Sequence, residues 1–257
     1  MRESREFILE KFREVNRLGF VPCRRSRDAG IGRTFEDYVG VVENIPERPD
    51  LAGYEIRSHR EESMSYITLF TKAPGFPVRA NAYLVERFGT PYEGNPALKK
   101  LHASMFASRY STCNNPYSFR LIHDRSAGLL RIGVYDVQTK QLLDACAGYT
   151  YGSLERKLQA KLKNLFYVGA ERRYRASDGV EEFYFNRAEI YGNPSLDRFL
   201  QLIDDGLIMY DIRIGSYRSG RNFGKVHDHG SGFRIIESNL RLLYRDHEIV
   251  EPDLSVK

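Results

Sequence analysis

Two acidic residues stand close together in the stretch Pro49-Asp50-Leu51-Ala52-Gly53-Tyr54-Glu55-Ile56-Arg57. Residues 53–58 read as a strand, on which alternate side chains share a face, so Glu55 and Arg57 point the same way. Asp50 lies beyond a glycine-containing turn, from where it can fold back beside Glu55. Two carboxylates held together repel, and a divalent cation relieves the repulsion. Mg²⁺ suits such a place, because it favours a few carboxylates completed by water. A metal there can polarise a phosphate, activate water and steady the leaving oxygen. A cation at Arg57 can balance transition-state charge. On pattern alone, a solvated turn without chemistry is the competing reading.

A second group runs from Asp211 to Arg234 and combines Arg, Lys, His, Asp and Tyr with repeated Gly. Arginine can grip guanine with two hydrogen bonds, and aspartate can accept from the cytosine amino group. Glycines let the backbone come close to a partner. This loop has the inventory to read G·C pairs. Within it, His227-Asp228-His229 has two readings: His-x-His sets two imidazoles on one side of a strand, as a metal site would, or the rings are structural. No GxxxxGK[ST] or GxGxxG run is present, which argues against a nucleotide cradle. The Arg-rich stretch around Gly30-Ile31-Gly32 reads either as a loop that approaches a phosphate or as a linker.

Composition sets the frame for these residues. The chain has 257 residues, 42% hydrophobic and 28% charged, which suits one compact domain, or a core domain with a small lobe attached, with a large core and a solvated surface. A net charge of +5 permits a nucleic-acid partner without requiring one. Cys23, Cys113 and Cys146 are sparse, odd in number and lack a CxxC pair, which points to a reducing cytoplasm. No apolar run approaches the ~18 residues of a membrane span, and the charged N-terminus is unlike a secretory signal.

Elements alternate between the two periodicities. Helices are expected over 4–18, over 34–43 with Thr34 as cap, from Ser153 along the stripe Leu154, Leu158, Leu162 and Leu165, and from the cap Ser195 to Gly206. Strands are expected at 53–58, 66–70, 119–122, 129–135, 166–170, 182–185, 210–214 and 233–236, those at 119–122 and 129–135 pairing as a hairpin across 124–128. For 74–117, rich in Pro, Gly and Asn, no element is assigned. The mixture predicts an α/β or α+β chain, with a mixed sheet flanked by helices.

Taken together, Gly30 to Asp37, the pair Asp50 and Glu55, Thr68 to Lys72, and Asp211 to Arg234 resemble the MvaI/BcnI family of type II restriction endonucleases. The resemblance runs in matching order from about residue 20 to the end. It implies a PD-(D/E)xK nuclease fold similar to the mismatch-repair nicking enzyme MutH, with a DNA-binding cleft between two lobes: roughly 1–150 mainly catalytic, roughly 151–257 mainly DNA-reading. It implies Mg²⁺-dependent cleavage of double-stranded DNA at a CCNGG-like site, CCWGG favoured, one strand at a time by a monomer. A separate cognate methyltransferase would protect host DNA. By position, Asp50 and Glu55 match the metal-binding carboxylates and Glu36 a supporting acid. Asp211, Arg213, Tyr217, His227, Asp228 and His229 match the DNA-reading segment, and Arg234 a residue that reaches the central base pair from the minor groove. Arg57 stands where the family carries a lysine. Arginine keeps the charge but cannot give up a proton. Two alternatives follow: a DNA-binding protein with a silent site, or a strand-nicking enzyme. Lys72 is the candidate for a substitute amine.

Overall fold

The computed structural model describes residues 2–24, 30–41, 51–60, 66–112 and 116–252. Asp50 and Cys113 lie outside the described residues. The chain begins with α1 (Arg2–Arg17), β1 (Phe20–Pro22), α2 (Gly30–Val39), β2 (Glu55–Arg60) and β3 (Tyr66–Thr71). Next come α3 (Ala80–Phe88), β4 (Thr90–Tyr92), β5 (Asn95–Met105), β6 (Ser111–Thr112), β7 (Tyr117–Asp124), β8 (Leu129–Asp136) and β9 (Leu142–Thr150). The rest is α4 (Tyr151–Leu162), β10 (Asn164–Tyr174), β11 (Glu181–Pro194), α5 (Leu196–Asp204), β12 (Ile208–Ser216), β13 (Val226–Asp228), β14 (Gly232–Ile236), a 3-10 turn (Glu237–Leu243) and β15 (Tyr244–Val250). The mixed α+β class is as expected, and among the described residues the strands form three sheets where one was expected.

Two compact units emerge, and each draws on both sides of residue 150. The first comprises 1–64, 159–194 and 244–257. Its sheet runs β1-β11-β10-β2, with β15 also paired to β11; β2 lies parallel to β10 and the other pairs are antiparallel. Ile8, Phe12 and Val15 of α1 and Ile31, Phe35 and Val39 of α2 recur at helical spacing. They cover the sheet face formed by Ile56, Phe166, Val168 and Ala188. A bulge in the β10–β11 ladder at Gly169 to Glu171 keeps Phe183 and Phe185 on this same face, although their numbers have the opposite parity to Ala188.

Helix α2 starts four residues before the expected cap. Its apolar stripe begins at Ile31, so the helix must reach back to include it, and Thr34 becomes a fully buried interior residue. Gly30-Ile31-Gly32 is therefore helix, and the Arg-rich residues 25–29 before it lie outside the described residues. A Cβ on Gly32 would come within 2.7 Å of Ser58 Oγ, so the missing side chain lets α2 lie close on β2.

The second unit comprises 65–158 and 195–243. One sheet runs β3-β14-β12-β5-β4 with β13 on β12, and another runs β6-β7-β8-β9. The hairpin expected at 124–128 is present, with Asp124 opposite Leu129. Ser195 caps α5, accepting from Arg198 N at 3.5 Å, and Gly206 follows at φ 72°. Residues 74–117, left unassigned by sequence, hold α3 and the eleven-residue β5. The pattern of β5 is hard to read because its buried residues change parity, Leu98 being followed by Leu101, Ala103 and Met105.

Phe166 anchors the first core: its ring lies 6.0 Å from Phe12, 6.3 Å from Phe35 and 6.5 Å from Tyr54. Phe166→Ala is expected to destabilise the protein by about 3–5 kcal/mol in urea unfolding. A loss under about 1 kcal/mol would contradict this packing.

Candidate active site and nucleic-acid interface

In the first unit, Ile56 faces the α1/α2 core, so Glu55 and Arg57 emerge on the opposite face of β2. The parallel ladder sets Glu55 beside Leu165 and Arg57 beside Tyr167 of β10. Both charged side chains are half-buried, at 17% and 21% exposure. Arg57 Nη2 stands 4.0 Å from Glu55 Oε1, and Lys161 Nζ of α4 stands 3.5 Å from Oε2. Each carboxylate oxygen therefore has its own cation. The buried Tyr244 ring lies close enough to feel both charges of β2. Burial pushes its phenol well up; Arg57 works against that and Glu55 adds to it.

The same face continues through Tyr167 to Glu189 of β11. Tyr191 donates to Glu189 Oε2 at 2.6 Å, Arg187 donates to Oε1 at 2.7 Å, and His247 Nε2 lies 2.7 Å from Oε2. Burial disfavours the Glu189 anion, but these partners outweigh it and hold the carboxyl below the usual range. The His247 ring stacks on Tyr191 at 4.8 Å, so the cluster joins β15 to the sheet. With its carboxylate saturated by side chains, Glu189 is a structural neighbour of the site.

Of the other residues expected here, Glu36 lies on α2, half-buried, one helical turn beyond Gly32. Lys72 belongs to the second unit. There its carbonyl accepts from Tyr149 Oη at 3.1 Å and Tyr210 Oη at 3.3 Å. Within the first unit the Nζ of Lys161, a residue that sequence reasoning passed over as a polar position on an amphipathic helix, stands against Glu55. For a metal, Glu55 offers a hard carboxylate donor of the kind Mg²⁺ takes.

The second unit carries the other group. On β12, Tyr210, Ile212 and Ile214 are fully buried, so Asp211 and Arg213 take the opposite face. Register sets Asp211 opposite Ser104 and Arg213 opposite His102 of β5. Asp211 is buried beneath two guanidinium groups: Arg213 Nε lies 2.7 Å and Arg234 Nε 2.9 Å from Oδ2. Ser104 Oγ lies 3.2 Å from Oδ1. Burial pulls the Arg234 guanidinium down and Asp211 opposes that. Arg213 remains 48% exposed, so its outer N–H groups face solvent while Asp211 fixes the inner edge.

Beside this cluster runs a row of rings. Tyr217 lies 4.6 Å from His227, His227 lies 4.4 Å from His229 edge to face, and His229 lies 6.4 Å from His102. Burial lowers the His102 pKa, and His229, Lys100 and Arg213 add to the effect while Asp211 opposes it. Gly215 makes room for the row, since a Cβ there would come within 2.7 Å of Tyr92 Oη and 2.9 Å of His229 Nε2. Among the described residues no third ligand joins His227 and His229 in a metal-holding group. Asp228 is committed to the turn: Oδ1 accepts from Gly230 N at 2.9 Å and Ser231 N at 2.6 Å, and Oδ2 from Asn81 Nδ2 at 2.8 Å. It shapes the loop that presents the rings. Sequence reasoning missed Ser104, His102 and Asn81, which reach the group only through register or through helix α3.

Two solved structures align with nearly the whole chain. One is the restriction endonuclease MvaI in complex with cognate DNA, 31% identical, covering 97% of this chain and 99% of that one, with a TM-score of 0.82. The other is MvaI in the absence of DNA, 30% identical, covering 97% and 98%, with a TM-score of 0.67. A search of curated protein sequences finds no match. The family model for MvaI/BcnI restriction endonucleases matches residues 9–244, and the chain belongs to that family.

Proposed function

We propose that this restriction endonuclease hydrolyses double-stranded DNA with Mg²⁺ at a CCNGG-like site, CCWGG favoured, as a monomer that cuts one strand at a time. The observation that carries the reading is Arg213, held by Asp211 with its free edge to solvent, on a basic sheet face lined by Arg234 and the histidine row. A guanidinium fixed on one edge presents the rest of its fork in a set direction, which is what a two-bond contact to guanine requires. Asp211, Arg213, Tyr217, His227 and His229 are assigned to the DNA, with Asp228 holding their loop; Arg234 is assigned to the central pair, where arginine favours A·T. In this reading the unit that contains β12 reads the DNA and the unit that contains β2 cuts it.

Glu55 and Asp50 would hold the metal, which when bound activates water and polarises the scissile phosphate. Arg57 lies on the same face of β2 as Glu55 and supplies fixed positive charge to a phosphate beside it. Its planar fork cannot relay a proton. Glu36 is assigned to support from α2. The host would carry a separate methyltransferase that protects the same site. The endonuclease's place of action is assigned to the cytoplasm; among the described residues no helix is long and apolar enough to cross a membrane.

The test is plasmid cleavage with Mg²⁺ or EDTA, with ends mapped by sequencing. Mg²⁺-dependent double-strand breaks at CCWGG are expected, and Glu55→Gln should slow them by about 100-fold or more. Breaks in one strand only would favour a nicking enzyme; tight specific binding without cleavage would mean a silent site. Asp211→Asn separates binding from specificity. Removing this anion from a basic face should strengthen binding to random DNA, yet loosen both arginines. The specificity ratio should then fall by about 1–3 kcal/mol, measured by competition binding at fixed salt. An unchanged ratio would remove Asp211 from the reading machinery.

A further inference from the structure

Helix α4 ends at Leu162, and its last turn brings Lys161 to the strand that carries Glu55. The two residues are 106 apart in sequence, so the contact is a product of folding. The junction after the helix is tied to the same place: Asn164 Nδ2 donates to Gly53 O at 3.3 Å, in the turn that precedes Glu55. Lys161 is thus held near the start of β2 by a main-chain anchor as well as by its own charge. Its side chain is 22% exposed, comparable with Arg57 and Glu55.

Two cations on one half-buried carboxylate repel each other and add little to stability. They also oppose a metal. A cation bound to Glu55 would have to share that carboxylate with Lys161, whose Nζ stands 3.5 Å from Oε2. An ammonium so placed must weaken metal binding. What it offers in return is charge for a phosphodiester. Arginine presents a rigid plane, whereas lysine is a compact charge with three rotatable donors. Lysine can keep one donor on Glu55 and turn another towards an arriving phosphate oxygen. Arg57, with Nη2 4.0 Å from Oε1, offers a phosphate fixed charge on a rigid fork, but not a donor that can turn independently.

We propose that Lys161 is a positioning cation of the cleavage site: it orients the Glu55 carboxylate and offsets phosphate charge, raising the cleavage rate while lowering the affinity for the metal. This rests on the reading of Glu55 as the metal-binding carboxylate.

The opposite signs of the two effects make the test, because a merely structural residue would lose both together. Mg²⁺ binding to the DNA-free chain is measured by calorimetry, and single-turnover cleavage on plasmid DNA, for wild type, Lys161→Gln, Lys161→Arg and Lys163→Gln. Lys163 is exposed and two residues away, so it controls for net charge. Lys161→Gln should bind Mg²⁺ about three- to tenfold more tightly and cleave about tenfold or more slowly. Lys161→Arg should restore the wild-type metal affinity, and Lys163→Gln should change neither readout. The proposal is overturned if Lys161→Gln changes neither readout, if both fall together, if only one moves, or if Lys163→Gln matches it. Glu55→Gln distinguishes the layers. Persistent cleavage in that variant sinks the reading of the site itself, whereas its loss beside an unaltered Lys161→Gln sinks only the lysine.

Discussion

A strand that buries every second side chain must turn the others away, and both candidate clusters stand on that second face. In β2 the buried partner is Ile56, under α1 and α2; Glu55 and Arg57 are what the strand has left. In β12 the buried partners are Tyr210, Ile212 and Ile214, and Asp211 and Arg213 are left. A slip of one residue would send these charges into apolar cores. The hydrophobic packing of each sheet therefore fixes where its charged groups point. The core behind each face sets the direction in which these groups leave the strand, and their charged neighbours fix the rest.

The charged faces share a second property. Each has a carboxylate between two cations: Glu55 between Arg57 and Lys161, and Asp211 between Arg213 and Arg234. Such groups seldom add much stability, since desolvation offsets their attraction. Their value lies in order. An arginine with one edge engaged has fewer rotamers to lose when a partner arrives. The excess of cations over anions also suits a polyanion, whose phosphates complete the balance. Glu189 is the contrast: Tyr191, Arg187 and His247 saturate it, and it serves the sheet instead.

Around Asp211 the loop from Tyr217 to Gly230 is held by small, local means. Asp228 gathers two backbone N–H groups and the Asn81 amide, Tyr217 N donates to Lys225 O at 3.0 Å, and the rings of His227, His229 and Tyr217 pack on one another. Edge-to-face rings constrain each other's rotamers. A glycine-rich loop is thereby given a definite surface without a large core of its own.

Much of this was legible in the chain. The helical stripe of α1, the strand that carries Glu55 and Arg57, the hairpin at Asp124, the cap at Ser195 and the charged inventory from Asp211 to Arg234 follow from local periodicity and turn chemistry. Those signals are carried by residues near one another in sequence, so no knowledge of the fold is needed to read them. Other features depended on packing between distant segments. Helix α2 runs back to Gly30 because Ile31 is buried against a sheet, which composition could not distinguish from a loop. Strand β5 hides its alternation behind a change of parity, and with it go Ser104 and His102. Lys161 looks like any solvent-facing lysine until α4 is set against β2. The chain by itself determined which residue types were available and which faces they shared; tertiary structure alone decided which of them meet, because contacts across a hundred residues are set by core packing and strand register, and neither leaves a local trace.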